Sequence, residues 1–229
     1  MDIKHSPIPA VTAGEELSAL LEHYKDKPTL LLLSGGSALS ILDHVTETVL
    51  GPQLTITTLD ERFSTDPDVN NFTQIKTTAF YRRAKDQEVS MIDTSVIETD
   101  TLEEAGKRFE AALRDWRNEN LGGVIIATMG VGIDGHTAGI FPNAYNEYFS
   151  GDDWVASYKV QESINPYTKR ITVTPQFLLE HVTHAIGFIV GDEKRSVLDN
   201  LQKDSCSHGE IPACVMREMK SVTIITSLK

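Results

Sequence analysis

One histidine of the seven stands in a setting fit for chemistry. His136 ends the stretch Gly130-Val131-Gly132-Ile133-Asp134-Gly135-His136, which directly follows the apolar run Gly123 to Met129. An imidazole on a glycine-rich loop at a strand end is exposed enough to reach a substrate, and it is the side chain best matched to proton transfer near neutrality. Asp134, two residues earlier, can orient the ring or stabilise the charge it acquires. His5, His23, His44, His181, His184 and His208 lack such a setting and read as surface or structural residues. A second feature is Ser34-Gly35-Gly36-Ser37, between the apolar run Thr29 to Leu33 and a helical pattern from Ala38 to Leu50. Glycines allow a sharp turn and close approach of a ligand, and the N–H groups and dipole of a following helix suit a phosphate. The same residues also fit a tight turn with Ser37 as a helix N-cap, and the residues alone leave both readings open. The loop lacks the Gly-Lys-Ser/Thr ending of a Walker A motif. A third polar cluster, Asp60-Glu61-Arg62, ends the strand pattern Leu54 to Leu59.

The elements that must position these groups alternate along the chain. Glu15 to Tyr24, Leu102 to Asn118 and Glu193 to Leu201 join Ala38 to Leu50 as predicted helices. Trp154 to Val160, Arg170 to Thr174, Ala185 to Val190 and Val222 to Thr226 join the three runs above as predicted strands. Strands that are apolar on both faces require a parallel sheet covered by helices. The pattern predicts a doubly wound, Rossmann-like α/β fold, with a mostly parallel sheet and helices on both faces. With no repeat, low-complexity tract or linker, a single domain over residues 1–229 is expected. In such folds ligands collect at the carboxyl ends of the strands, where the three polar segments fall.

Gly130 to Gly135 matches G-x-G-x-x-G literally, but a dinucleotide site also needs a full helix from the glycines and an acid at the next strand's end about 20 positions on. Pro142 and Asn143 interrupt any such helix, and the acid after the next strand, Glu162, comes too late, which argues against NAD. The 229 residues carry 21 Lys+Arg against 33 Asp+Glu, a formal charge of -12, which opposes a general nucleic-acid or anionic-membrane binder. An anionic substrate must then be held by a local positive site. No apolar run approaches the roughly 20 residues of a membrane span, and Met1 to Ala10 shows no signal-peptide h-region. Cys206 and Cys214 are expected to be two surface or half-buried thiols in a reducing cytoplasm. With His208 they fit no zinc spacing, so no metal site is expected.

The segment Gly130 to Pro142, ending His136-Thr137-Ala138-Gly139-Ile140-Phe141-Pro142, closely resembles the signature of the 6-phosphogluconolactonases. It is similar, less closely, to that of the glucosamine-6-phosphate deaminases that share their fold. Leu33 to Ser37 resembles the first phosphate loop of that family, and Leu59 to Phe63 followed by Asn70-Asn71 its second motif. Arg170 to Thr174, Gly191 to Lys194 and Ile211 to Ala213 resemble the later elements, in the family's order. Three positions depart from the usual pattern: Ala38-Leu39 stands for Thr-Pro, Asn70 for Ser, and Gly139 for a commoner Ser.

The resemblance implies hydrolysis of 6-phospho-D-glucono-1,5-lactone to 6-phospho-D-gluconate in the oxidative pentose phosphate pathway, without metal or organic cofactor. It implies His136 as general base, Asp134 as its orienting partner, and N–H groups around Gly130 to Gly135 as oxyanion donors. Gly35, Gly36 and Ser37 are expected at the phosphate, with Arg62 and Lys194 as leading cations; Asp60, Gly132, Gly135 and Arg170 complete the expected substrate-binding set. Taken alone, Arg62 reads as a partner for Asp60 or Glu61, Lys194 as a helix-surface lysine, and Arg170 as a solvated residue at a strand start. Two alternatives stand beside the lactonase. One is a deaminase/isomerase of glucosamine 6-phosphate, in which an Asn-Glu-Pro-Gly stretch follows the histidine where this chain has Thr-Ala-Gly-Ile-Phe-Pro. The other is a non-catalytic sugar-phosphate-binding protein.

Overall fold

The computed structural model describes residues 1–149 and 151–229. Its strands are β1 (Asp2–His5), β2 (Thr29–Leu33), β3 (Leu54–Thr58), β4 (Asp60–Arg62), β5 (Ser90–Met91), β6 (Val124–Gly130), β7 (Val155–Lys159), β8 (Lys169–Val173), β9 (His184–Ile189) and β10 (Val222–Thr226). Its α-helices are α1 (Pro9–His23), α2 (Asn71–Thr77), α3 (Ala79–Asp86), α4 (Leu102–Glu119), α5 (Ala144–Tyr148), α6 (Pro175–His181) and α7 (Arg195–Leu201). Seven strands form an all-parallel sheet in the order β1-β10-β9-β6-β2-β3-β5. From β2 the chain winds outward through β3 and β5, then returns to β6 and winds the other way, so the topological switch lies between β2 and β6.

Side chains alternate across each strand, and every residue of β2 is buried. Leu31 and Leu33 pack with Leu17 and Leu21 of α1, Ile75 of α2 and Phe80 of α3. Leu30 and Leu32 face the other way, onto Phe109, Leu113 and Trp116 of α4, Phe177 of α6 and Leu198 of α7. Helices therefore cover both faces, as the continuous apolar runs require. The longest helix, α4, begins in a reciprocal capping box between Thr101 and Glu104. Among the described residues no helix is long and apolar enough to cross a membrane.

Three segments singled out in the sequence take a different form in the structure. Ala38 to Leu50 is not an α-helix but two 3₁₀ stretches, Gly36–His44 and Glu47–Val49. The break has a cause in α1: Gly14 lies flush against His44, and Ser18 Oγ accepts the Thr46 N–H at 3.0 Å, removing it from any helical ladder. Asp60-Glu61-Arg62 does not simply end the preceding strand but is a strand of its own. It leaves the main sheet and pairs antiparallel with β8, which pairs antiparallel with β7. The helix expected over Glu193 to Leu201 is a 3₁₀ turn, Asp192–Lys194, followed by α7.

Candidate active site

The ends of β2 and β6 meet at the switch point. Ser34 Oγ accepts the Gly130 N–H at 3.1 Å, and Ser34 N–H donates to Thr128 Oγ1 at 3.2 Å, stapling the two loops together. Gly35 occupies the cap position of the 3₁₀ turn and no side chain caps it, so the alternative role of Ser37 as N-cap is excluded. Gly35, Gly36 and Ser37 instead border a cleft of about 210 Å³ that is also lined by Asp60, Arg62, Gly132, His136, Arg170 and Lys194. Of the expected site residues, only Asp134 and Gly135 are absent from this lining.

Asp134 lies behind the imidazole. Its Oδ1 sits 2.5 Å from His136 Nδ1 and 3.2 Å from the His136 backbone nitrogen. Burial alone would raise the Asp134 pKa, but the hydrogen bond and charge of His136 outweigh it and hold the carboxyl below its ordinary value. Gly132 makes this geometry possible, since a Cβ there would stand 2.1 Å from His136 Nδ1. On one face the imidazole stacks on Phe141, with ring centroids 4.5 Å apart. With Nδ1 tied to a carboxylate, Nε2 is the nitrogen left for chemistry.

After His136 the chain makes a tight hairpin. Thr137 and Ile140 exchange backbone hydrogen bonds, and Ala138 and Gly139 form the two-residue turn with φ of +48° and +66°. Positive φ at both central residues is what a mirrored hairpin turn demands. An alanine held there costs roughly 1–3 kcal/mol. The second sheet offsets that cost: Thr172 Oγ1 of β8 donates to Ala138 O, and Tyr158 OH of β7 donates to Gly139 O and accepts the Phe141 N–H. Three of the N–H groups expected to serve an oxyanion are already engaged. The N–H groups of Gly130, Gly132 and Gly135 already donate to Ser34 Oγ, His136 O and Gly132 O, respectively. A trans peptide sends C=O and N–H in opposite directions. Because Ala138 C=O turns to Thr172, Gly139 N–H turns away from the second sheet, and it has no acceptor among the described residues.

The second sheet holds the charged groups. Arg170 is not the solvated residue its place at a strand start suggests. It is 4% exposed, forms a buried ion pair with Asp60, and lays its guanidinium 5.5 Å from the Phe141 ring centre. The register Arg62↔Arg170 and Asp60↔Thr172 explains the pairing, which sequence distance conceals. Arg62 consequently pairs with neither Asp60 nor Glu61 through its guanidinium. That group packs over Tyr167 at 4.8 Å and reaches Val69 O at 3.4 Å. Burial, then the Arg170 charge, lowers the Arg62 pKa. Lys194 borders the cleft, where burial lowers its pKa against the opposing pull of Glu193; it is not a free helix-surface lysine. Glu61, fully buried, accepts N–H groups from Arg62, Asn71 and Phe72 and the Thr94 hydroxyl. Burial outweighs those N–H donors and pushes its pKa up to about 8.

Two departures from the family pattern have structural accounts. Asn70 caps α2, its Oδ1 accepting the Thr73 N–H at 2.9 Å, a task that Ser performs equally well. At residue 139 a Cβ would stand 2.7 Å from Asp60 Oδ2, so here the buried carboxylate packs flush against the glycine. The cysteines are corrected: Cys206 and Cys214 form a disulfide, with Cα atoms 5.7 Å apart. The loop it closes folds back on the site, where Ala213 N–H donates to Gly135 O at 2.9 Å. That return brings the cysteines together, which their spacing alone did not indicate. Among the described residues, no group of three His, Cys, Asp or Glu is placed to hold a metal. Sequence reasoning missed Phe141, Tyr158 and Thr172 as groups that place the imidazole loop; Phe141 and Thr172 lay inside motifs it had singled out, whereas Tyr158 stood only in a predicted strand.

The match to the family model described as "Glucosamine-6-phosphate isomerases/6-phosphogluconolactonase" covers residues 10–225. Among solved structures, the chain is similar to 6-phosphogluconolactonase from Trypanosoma brucei, with a TM-score of 0.78 and 18% identity over 98% of this chain and 95% of that one. The Thermotoga maritima 6-phosphogluconolactonase gives 0.73 and 22%, over 98% and 97%. A monomeric glucosamine-6-phosphate deaminase gives 0.74 and 18%, over 99% and 97%. At these identities the likenesses establish the fold. Among curated protein sequences none matches the chain significantly. With the family model spanning nearly its whole length, the chain belongs to the glucosamine-6-phosphate isomerase/6-phosphogluconolactonase family.

Proposed function

We propose that this chain, acting as a single domain, hydrolyses 6-phospho-D-glucono-1,5-lactone to 6-phospho-D-gluconate in the oxidative pentose phosphate pathway. One observation carries the reading: an imidazole tied at Nδ1 to a carboxylate faces the same cleft as a glycine-serine loop, an arginine and a lysine. His136 Nε2 takes a proton from water as its oxygen bonds to the lactone carbonyl carbon, a contribution of roughly 10²–10⁴-fold. Asp134 stabilises the imidazolium. The oxyanion is met by Gly139 N–H, a kind of donor worth about 10²–10³-fold. When the tetrahedral intermediate collapses, the C–O bond to the ring oxygen breaks and the imidazolium proton moves to that oxygen. Gly35, Gly36, Ser37, Arg62 and Lys194 hold the phosphate through charge-assisted hydrogen bonds of about 1.5–3 kcal/mol each, against a formal background charge of -12. Phosphorylated sugars do not cross membranes unaided, so the reading places the enzyme in the compartment where the lactone is made, which we take to be the cytoplasm.

The deaminase reading needs an enolising base and a ring-opening acid beyond the histidine. The Thr137 to Pro142 segment does not contain the Asn-Glu-Pro-Gly stretch associated with that chemistry. The test is a coupled assay in which glucose-6-phosphate dehydrogenase generates the lactone in situ. Wild type is expected to accelerate 6-phosphogluconate formation over spontaneous hydrolysis, and His136→Ala to lose roughly 10²–10⁴-fold in kcat. Phosphosugar binding without acceleration, or ammonia release from glucosamine 6-phosphate, would replace this reading with one of its rivals.

A further inference from the structure

Asn71 opens α2 and borders the cleft, yet neither the catalytic dyad nor the phosphate contacts use it. It is 2% exposed. Its backbone N–H donates to Glu61 Oε1 at 2.5 Å, and its side-chain Nδ2 donates to Asp60 O at 2.9 Å. The second bond fixes the amide orientation. A backbone carbonyl only accepts, so the nitrogen must face Asp60 and the oxygen must face away. Oδ1 is buried and has no hydrogen-bond partner among the described residues. Buried amide oxygens are seldom left so, and one that persists calls for an explanation.

Gly35 shows where this oxygen lies. A Cβ at Gly35 would stand 2.4 Å from Asn71 Oδ1. Gly35 has φ of -78° and ψ of -170°, extended backbone that any residue adopts. Its lack of a side chain therefore serves the asparagine amide, which sits against the first glycine of the loop. The neighbouring groups decide what the oxygen can meet. The cations Arg62 and Lys194 suit a phosphate, whereas a carbonyl oxygen repels one. The Asp60 carboxylate is engaged by Arg170. Against Gly35, at the edge of the cleft, the structure thus leaves a covered acceptor that lacks a donor and that a neutral donor would satisfy.

We propose that Asn71 Oδ1 accepts a hydrogen bond from a hydroxyl of the bound phosphosugar, making Asn71 a specificity-determining residue. The proposal rests on reading the cleft as a phosphosugar site. The test uses the full chain and a stable ligand series: 6-phosphogluconate and its 2-, 3- and 4-deoxy derivatives, titrated calorimetrically into wild type, Asn71→Ala and the near-isosteric Asn71→Leu. One deoxy derivative is expected to bind wild type about 5- to 150-fold more weakly than the parent, the range for stranding a buried acceptor. Either variant is expected to bind that pair within about threefold of each other. With ¹⁵N-labelled asparagine, the Asn71 side-chain resonances of wild type are expected to shift with the parent and not with that derivative, a result that requires no variant to fold. Equal binding of all derivatives by wild type, or discrimination that survives in the variants, overturns the role of Asn71 alone. Wild type that binds no phosphosugar overturns the reading of the cleft, and this proposal with it.

Discussion

The two sheets of this molecule are built from opposite materials. In the parallel sheet, Leu30 to Leu33, Ile125 and Ile126 are buried aliphatics whose neighbours are other apolar side chains. In the three-stranded sheet the buried residues include Asp60, Glu61, Arg170, Thr172 and Tyr158. Each of these polar groups has a partner in a loop, a helix start or its own sheet. The first sheet obtains its stability from area removed from water, a non-directional effect that tolerates small displacements. The second obtains position from directional bonds, which tolerate few. A site that must hold an imidazole in one orientation is attached to the second and only carried by the first.

That contrast can be broken at its charged end most severely. Arg170→Met should destabilise the protein by about 3–5 kcal/mol, because it strands the buried Asp60 carboxylate. Chemical denaturation measures this, and the double change Asp60→Leu with Arg170→Met should recover most of the stability but not the activity. Recovery of both would make the pair an ordinary structural feature. In the parallel sheet, Leu31→Ala should cost a similar or smaller amount, about 2–5 kcal/mol, while kcat/KM per folded molecule stays near that of wild type. A large loss of activity without a shift in the denaturation midpoint would contradict the division of labour.

The finest test is one of pH. Glu61 titrates at an ordinary 4.5 when unfolded and is pushed up to about 8 by burial in the folded chain. Between those values the folded state holds a proton that the unfolded state has lost, so this group's stabilising contribution is complete below pH 4.5 and falls as pH rises toward about 8. Glu61→Gln should cost about 1–3 kcal/mol at low pH through imperfect pairing of the N–H groups it caps. The gap to wild type should narrow with rising pH; a gap that is constant from pH 4.5 to 8 would remove Glu61 as the source.

The parallel sheet was legible because continuous apolar runs bounded by glycine and polar clusters have few other solutions. β1 was missed because Asp-Ile-Lys-His is mixed in character and lies at the sheet edge. α3 was missed because Ala79-Phe80-Tyr81-Arg82-Arg83-Ala84-Lys85-Asp86 is short and mostly polar. The dyad and the glycine-serine loop were legible from their places at strand ends. The Asp60–Arg170 pair was not, since it joins residues 110 apart through the register of two short strands. Asn71 was visible only as part of a motif, because what distinguishes it is an oxygen without a partner, and no sequence displays that.

Gly35 and Gly139 share a property that bears on how such a cleft changes over time. Each leaves room for an oxygen from a distant segment, Asn71 Oδ1 in one case and Asp60 Oδ2 in the other. A library that randomises the loops while keeping the interior fixed will discard nearly every variant at both positions. At Gly35, whose backbone suits any residue, a productive route to new substrates must alter Asn71 as well, so the heritable unit of specificity there is a couple of residues rather than a single site.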